Sequence, residues 1–185
     1  MKKRRVTTIA MIIAMLLTAP VTGMPALAAR TPSDWAIPEM NDANTSGLLT
    51  HSAARDFHAH LTRDEFCETV VTLVERTLGR ALPVPPNNPF YDCESIYVLK
   101  AWNYGVITGV TTTRFAPERE VERQQLCVMM IRAIRQLEKD LGKSLLDPGA
   151  QALTYNDSYQ IEDYAVEAVK LALTNDIMRG DEKNN

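Results

Sequence analysis

The sequence predicts a mainly α-helical protein made of three tandem helix-loop-helix repeats, and three observations lead there. Met40, Ala43, Gly47, Leu48 and Leu49 recur as Val98, Ala101, Gly105, Val106 and Ile107, and again as Val169, Ala172, Asp176, Ile177 and Met178. The spacing in each set is helical up to a turn, which makes a unit of roughly 60 residues the thing to interpret. Helix start and stop signals stand at matching places in the units, and no long alternating strand pattern competes with them.

Residues 1–28 are set apart from the repeats. Lys2, Lys3, Arg4 and Arg5 precede an apolar run over residues 9–17, and small residues follow up to Ala28 and Ala29. That order reads as a secretory signal peptide cleaved after Ala28. The apolar run is far shorter than the roughly 20 residues that span a bilayer, so no membrane span is expected. No cysteine near the cleavage site suggests a lipid anchor.

The first unit, residues 29–82, opens on the weakest of the helices, because Asn41, Asp42 and Asn44 disfavour it; Gly47 ends it. Its second helix has the clearest start, a Thr62–Glu65 capping box ahead of Phe66, Val70, Val71 and Val74, with Gly79 as the stop. Pro83, Pro85, Pro86 and Pro89 then divide it from the second unit, residues 83–144. There Ile96, Leu99 and Trp102 mark a short helix ending at Gly105. A longer one runs from about Arg123 through Leu126, Met130, Ile131 and Ile134 to Leu141 and Gly142, with Glu122 at the cap position and Gln125 three residues on. Glu caps less well than Thr, so a looser start is expected. Pro148 and Gly149 introduce the third unit, residues 145–185. Here Ile161, Tyr164, Ala165, Ala168, Val169 and Ala172 trace one continuous apolar stripe, with Asp157 and Gln160 placed as cap and partner.

The whole chain carries a formal charge of −3. Loss of the four cations at positions 2–5 lowers it to −7, which argues against nucleic acid and anionic membranes as partners. Any anionic ligand needs a local cationic site. Cys67, Cys93 and Cys127 form an odd set in an exported chain, so at least one thiol is unpaired within it. Cys67 and Cys127 continue apolar helical faces and read as small buried core residues, with a disulfide or a reactive thiol as the alternatives.

Catalytic and metal chemistry find little support. His51, His58 and His60, with Asp56 nearby, make a loop better read as solvated surface than as a metal site. Asp42, Asn44 and Gly47 imitate half a calcium loop, but its twelfth position is Ala53 where a bidentate Glu is required. No nucleophile elbow, phosphate loop or Cys-x-x-Cys pair is present. No cofactor is expected.

The second unit reads Phe90-Tyr91-Asp92, a helix, Gly105-Val106-Ile107-Thr108-Gly109, Phe115-Ala116-Pro117 and Val121-Glu122-Arg123-Gln124-Gln125. The first contributes Asp34-Trp35-Ala36, Phe57 and Leu61-Thr62-Arg63-Asp64-Glu65, and the third Tyr155-Asn156-Asp157, Tyr164-Ala165 and Ile177-Met178-Arg179-Gly180. In that joint order the chain resembles the surface-layer homology (SLH) family. The resemblance implies three modules in a pseudo-threefold, three-pronged helical domain that holds proteins on bacterial cell walls. It implies as ligand a secondary cell-wall polysaccharide, often pyruvylated, and as binding residues Asp34, Trp35, Arg63, Asp92, Gly109 and Arg123. The chain departs from the pattern at Cys93 and Tyr164, where the family has Trp, and no third Phe-x-Pro or Thr-Arg motif follows Arg179.

Arg63 and Arg123 fall at the first helical position, where unpaired N–H groups and the helix dipole favour an acidic sugar. Trp35 offers a flat apolar face to a sugar ring. Asp34, Asp92 and Asp157 also read as helix caps, Gly109 as a turn residue and Trp35 as a core or staple residue. The expectation is a secreted, non-enzymatic cell-surface protein that anchors to wall polysaccharide. Its rivals are a protein-interaction or self-association module using the incomplete third unit, and a small metal-dependent hydrolase using the histidine loop. Replacing Arg63 and Arg123 together by Ala is expected to weaken wall binding with melting nearly unchanged.

Overall fold

A computed structural model describes residues 31–54, 56–149 and 152–179. The expected signal peptide lies outside the described residues. The described chain is mainly helical: α1 (Ile37–Thr45), α2 (Arg63–Leu78), α3 (Ile96–Asn103), α4 (Arg123–Leu141) and α5 (Val166–Thr174). Short 3-10 turns at Asp34–Ala36 and Ser158–Gln160 precede α1 and α5. Extended pairing among these residues is limited to one antiparallel bridge, Thr62 to Glu120. None of the described helices is long and apolar enough to cross a membrane.

Helix α2 begins where its sequence says it should. The Thr62 hydroxyl accepts from the Glu65 N–H at 3.2 Å and the Glu65 carboxylate accepts from the Thr62 N–H at 3.0 Å. This box satisfies two donors that the first turn otherwise leaves open. Gly79 closes the helix at φ 65°, a left-handed conformation that costs a glycine little. Phe66, Cys67, Val70, Val71 and Val74 form its buried face. Helix α4 spans the expected residues and ends at Gly142, but Glu122 makes no side-chain cap and Gln125 does not reach back.

The chain packs as α3 on α2, α2 on α4 and α4 on α5. Two apolar clusters follow. One joins α2 and α3 with Val106, Ile107 and Phe115, and the other joins Cys127 and Ile131 of α4 with Val169 and Ala172 of α5 and with Ala165 at its N-cap. Helix α1 buries none of its residues. All three cysteines are free and buried. Burial pushes the Cys127 thiol up to about 11, so it stays protonated as a core residue.

One backbone turn recurs after α1, α3 and α5. The N–H of Leu48, Val106 and Ile177 donates to the carbonyl of Ala43, Ala101 and Ala172, at 2.7, 2.9 and 2.9 Å. Gly47, Gly105 and Asp176, the preceding residues, all have positive φ, at 61, 82 and 55°. Asp176 takes a conformation that Asp tolerates better than most residues with a Cβ.

Two helical expectations need correction. The apolar stripe from Ile161 to Ala172 does not form one helix, since α5 begins only at Val166 and Asp157 makes no side-chain cap. Gln124 of α4 accounts for it. Its amide accepts from the Glu162 N–H at 2.9 Å and donates to the Glu162 carboxylate at 3.1 Å, beside Ile161, which is extended at ψ 121°. A tertiary contact thus overrides local propensity. In α3, Ile96 and Trp102 stay exposed, and the buried residues are Val98 and Ala101.

Candidate functional site

Arg63 is the centre from which the site is built. It stands at the first position of α2, yet only 8% of its surface is exposed. Its Nε donates to the Phe115 carbonyl at 3.0 Å and its Nη2 to the Thr108 carbonyl at 2.9 Å. The guanidinium lies 4.5 Å from the centre of the Phe115 ring. Burial draws its pKa down, and the Cys67 thiol and Asp92 act in the opposite sense. The loop between α3 and α4 also occupies the helix end: the N–H groups of Arg63 and Asp64 donate to Arg119 and Pro117 carbonyls at 2.9 and 3.1 Å. The expected open donors are therefore absent at α2, and Arg63 is a clamp on the loop. The expectation that replacing it leaves melting unchanged is corrected by these bonds.

Asp92 holds the same loop from the other side. Its two carboxylate oxygens accept from Phe115 N–H and Ala116 N–H, each at 2.8 Å, and Arg114 stands 3.6 Å away. Partial burial raises its pKa, but the two amides and Arg114 outweigh that and hold it below the usual range. Asp92 caps no helix, because Ser95 is the N-cap of α3. Gly109 is needed for space rather than for a positive φ. A Cβ there would collide with the Thr111 carbonyl and come within 2.7 Å of the Arg114 carbonyl and 2.8 Å of the Phe90 ring.

Beside this clamp lies an open cavity of about 190 Å³, lined among others by Arg63, Gly109, Gln125, Met129, Arg132 and Tyr164. Two cations face it and no carboxylate lines it. The Gln125 side-chain oxygen is buried without a hydrogen-bond partner among the described residues. Tyr164 bonds to the Gln125 side chain, and burial followed by Glu162 and Glu122 raises its pKa. Arg132 was missed by sequence reasoning, although Gln125, Val128, Met129 and Arg132 fall on one helical face by spacing alone.

Arg123 lies elsewhere, exposed at the first position of α4. Its Nη2 donates to the Arg179 carbonyl at 2.7 Å, in the turn that matches Thr108. It borders a second cavity, of about 250 Å³, with Asp157, Tyr155 and Arg179. Asp34 and Trp35 sit in the exposed 3-10 turn before α1, Trp35 at 80% exposure. Trp35 is thus neither core nor staple. Of the six expected binding residues, Arg63 and Gly109 line one of these two cavities and Arg123 the other.

The histidines are not gathered. The His58 ring lies 3.1 Å from the Thr31 carbonyl and His60 lies 3.7 Å from Glu120. Among the described residues no three His, Cys, Asp or Glu side chains are grouped to hold a metal. Asp42 and Asn44, the supposed half calcium loop, belong to helix α1.

No family model matches the chain. Over 153 residues, 80% of its length, it is 29% identical to a protein named endoglucanase from Bacillus sp. (strain KSM-635). The chain spans about 15% of that protein's length. This likeness stands against the expectation of a non-enzymatic protein, because the relative carries an enzyme's name.

Proposed function

We propose that residues 29–185 are three SLH-like units, 29–82, 83–144 and 145–185, in a pseudo-threefold arrangement, and that the domain binds an anionic wall polysaccharide non-covalently at the cell surface. The recurring turn after α1, α3 and α5 supports the unit division, as do the matched bonds from Arg63 to Thr108 and from Arg123 to Arg179. The observation that carries the ligand class is the cavity beside Arg63. In a chain of net negative charge it presents Arg63 and Arg132, a buried amide oxygen without a donor, an aromatic ring and no carboxylate. A carboxylated sugar meets each of these: its charge faces the arginines, a hydroxyl supplies the missing donor to Gln125, and its apolar face lies on Tyr164. The exposed ring of Trp35 is a second contact for the same polymer, and weak sites spaced along one chain reinforce each other.

Arg132 is the cation to test, because its guanidinium lines the cavity and has no hydrogen bond or ion pair among the described residues. Co-sedimentation with purified walls, before and after the secondary polymer is extracted, should show binding that disappears with the polymer. The Arg132→Ala protein should bind about tenfold more weakly with unchanged melting. Equal binding by that variant removes the cavity from the proposal, and equal binding to extracted walls removes the polymer.

The relative's name favours a second reading, in which this chain has a part in cleaving a glucan. Release of reducing ends from a β-glucan by the purified protein tests it, and no release above a heat-killed control would reject it.

A further inference from the structure

We propose that Gln124 is a positioning residue for the cavity beside Arg63: by pinning the backbone of Glu162 it keeps residues 161–165 out of helix α5, and so sets the ring of Tyr164 at the cavity. This rests on the polysaccharide reading of that cavity and adds to it a residue that does not itself line the space. Tyr164 is the ring that the reading lays against the sugar's apolar face. It stands in a turn, two residues before α5 begins at Val166. With 54% of its surface exposed, packing alone does little to hold it.

The local sequence favours another conformation. Ile161, Tyr164, Ala165 and Ala168 fall on one helical stripe, and a helix running through them would set Tyr164 one turn before Ala168, on the face that packs against Cys127 and Ile131 of α4. Instead Ile161 is extended at ψ 121°, and Glu162 opens a turn whose carbonyl accepts from the Ala165 N–H at 2.8 Å. One side chain holds the first residue of that turn twice. The Gln124 amide oxygen accepts from the Glu162 N–H at 2.9 Å, and its nitrogen donates to the Glu162 carboxylate at 3.1 Å. In a continuous helix the Glu162 N–H would instead be given to the Ser158 carbonyl, four residues earlier. The bond to Gln124 and the helix therefore exclude each other.

Neighbouring glutamines of α4 thus hold Tyr164 by both ends. Gln124 and Gln125 project about 100° apart around the helix. The first reaches the Glu162 backbone, while the second lines the cavity and bonds to the Tyr164 side chain. Ala165, the next residue along, is 0% exposed and fixes the far side of the turn. The ring is left with little freedom as long as Gln124 keeps its grip.

The test measures binding of the full chain to purified walls. Tyr164→Ala should bind about tenfold more weakly, as for loss of an aromatic contact. Gln124→Ala should bind about threefold more weakly, the loss that follows when the competent turn is populated about a third of the time. Both Gln124 bonds lie at the exposed surface, so that variant should melt close to the parent. Added to Tyr164→Ala, Gln124→Ala should cost nothing more. A side chain that only stabilised the fold, or that touched the sugar itself, would not show this dependence on Tyr164. In Gln124→Ala the Cα chemical shifts of residues 161–163 should also move toward helical values. Wall binding equal to the parent's, the same loss with and without Tyr164, or unmoved shifts would overturn the positioning role and leave the cavity reading standing. Parent-like binding by both Tyr164→Ala and Arg132→Ala would remove the cavity reading, and this proposal with it.

Discussion

Replacing Arg63 by Ala should cost about 3 kcal/mol of folding stability. Two hydrogen bonds from a charged donor are lost, each worth about 1.5–3 kcal/mol, together with a cation–π contact worth about 0.5–2 kcal/mol. Against this stands the relief of no longer burying a charge, which removes several kcal/mol from the gross sum. Water reaching the Thr108 carbonyl from the neighbouring cavity recovers a little more. For a domain of this size about 3 kcal/mol lowers the melting temperature by about 6–12 °C. Urea titration followed by far-UV circular dichroism measures it directly. Lys at this position keeps the charge without the fork and should recover less than half of the loss. Arg123→Ala, at the matching but exposed position, should stay within about 1 kcal/mol of the parent. A difference below about 0.5 kcal/mol for Arg63→Ala would refute the clamp, because the bonds to Thr108 and Phe115 would then carry no net stability.

Two further outcomes follow from the same loop and its neighbours. Gly109→Ala places a methyl against two backbone carbonyls that have no rotamer to escape into, and should destabilise by about 2 kcal/mol or more in the same titration; a neutral substitution would mean the loop moves freely. Acid should loosen the fold through Glu138, Glu75 and Asp92. Leu146 and Leu145 amides lower Glu138, while at Glu75 and Asp92 burial raises the carboxyl but Lys100 and backbone amides outweigh it. Folded values below the ordinary 4.5 and 3.8 mean that their stabilisation is complete above those values and is lost as pH falls through the lower folded ones. Glu68, raised by burial and then by Asp64, runs the other way and offsets part of it. The urea midpoint should fall from about pH 4.5 downward, and a midpoint unchanged down to about pH 3 would refute the carboxylate-to-amide ties.

What could be read from the sequence was local. The Thr62–Glu65 box, the Gly79 and Gly142 stops and the turns at Gly47 and Gly105 each need only a few adjacent residues, and each is found where expected. The late start of α5 depends on Gln124, 38 residues before Glu162, and no helical periodicity reveals it. The roles of Asp92 and Arg63 are similarly remote: Asp92 binds amides 23 and 24 residues away, and Arg63 carbonyls 45 and 52 away. Sequence chose the right residue types at the helix starts but could not tell a side chain that faces a ligand from one consumed by its own loop. Arg132 has a readable signal in its spacing from Gln125, but no helix-start motif marks it.

The two helix-start arginines show why a motif of this kind does not by itself assign a binding residue. Both follow an extended N-cap residue, both stand at the first helical position, and both grip a carbonyl of the following turn. Their fates differ because Phe115 and its flanking residues fold over one and nothing among the described residues folds over the other. Covered, Arg63 becomes a structural clamp whose remaining edge only helps to line a cavity. Uncovered, Arg123 leaves its helix end open to an incoming group. Whether such an arginine serves the fold or a partner is therefore decided by the loop more than fifty residues later in the chain, and a polymer that seeks a free cation beside the clamp meets Arg132 first.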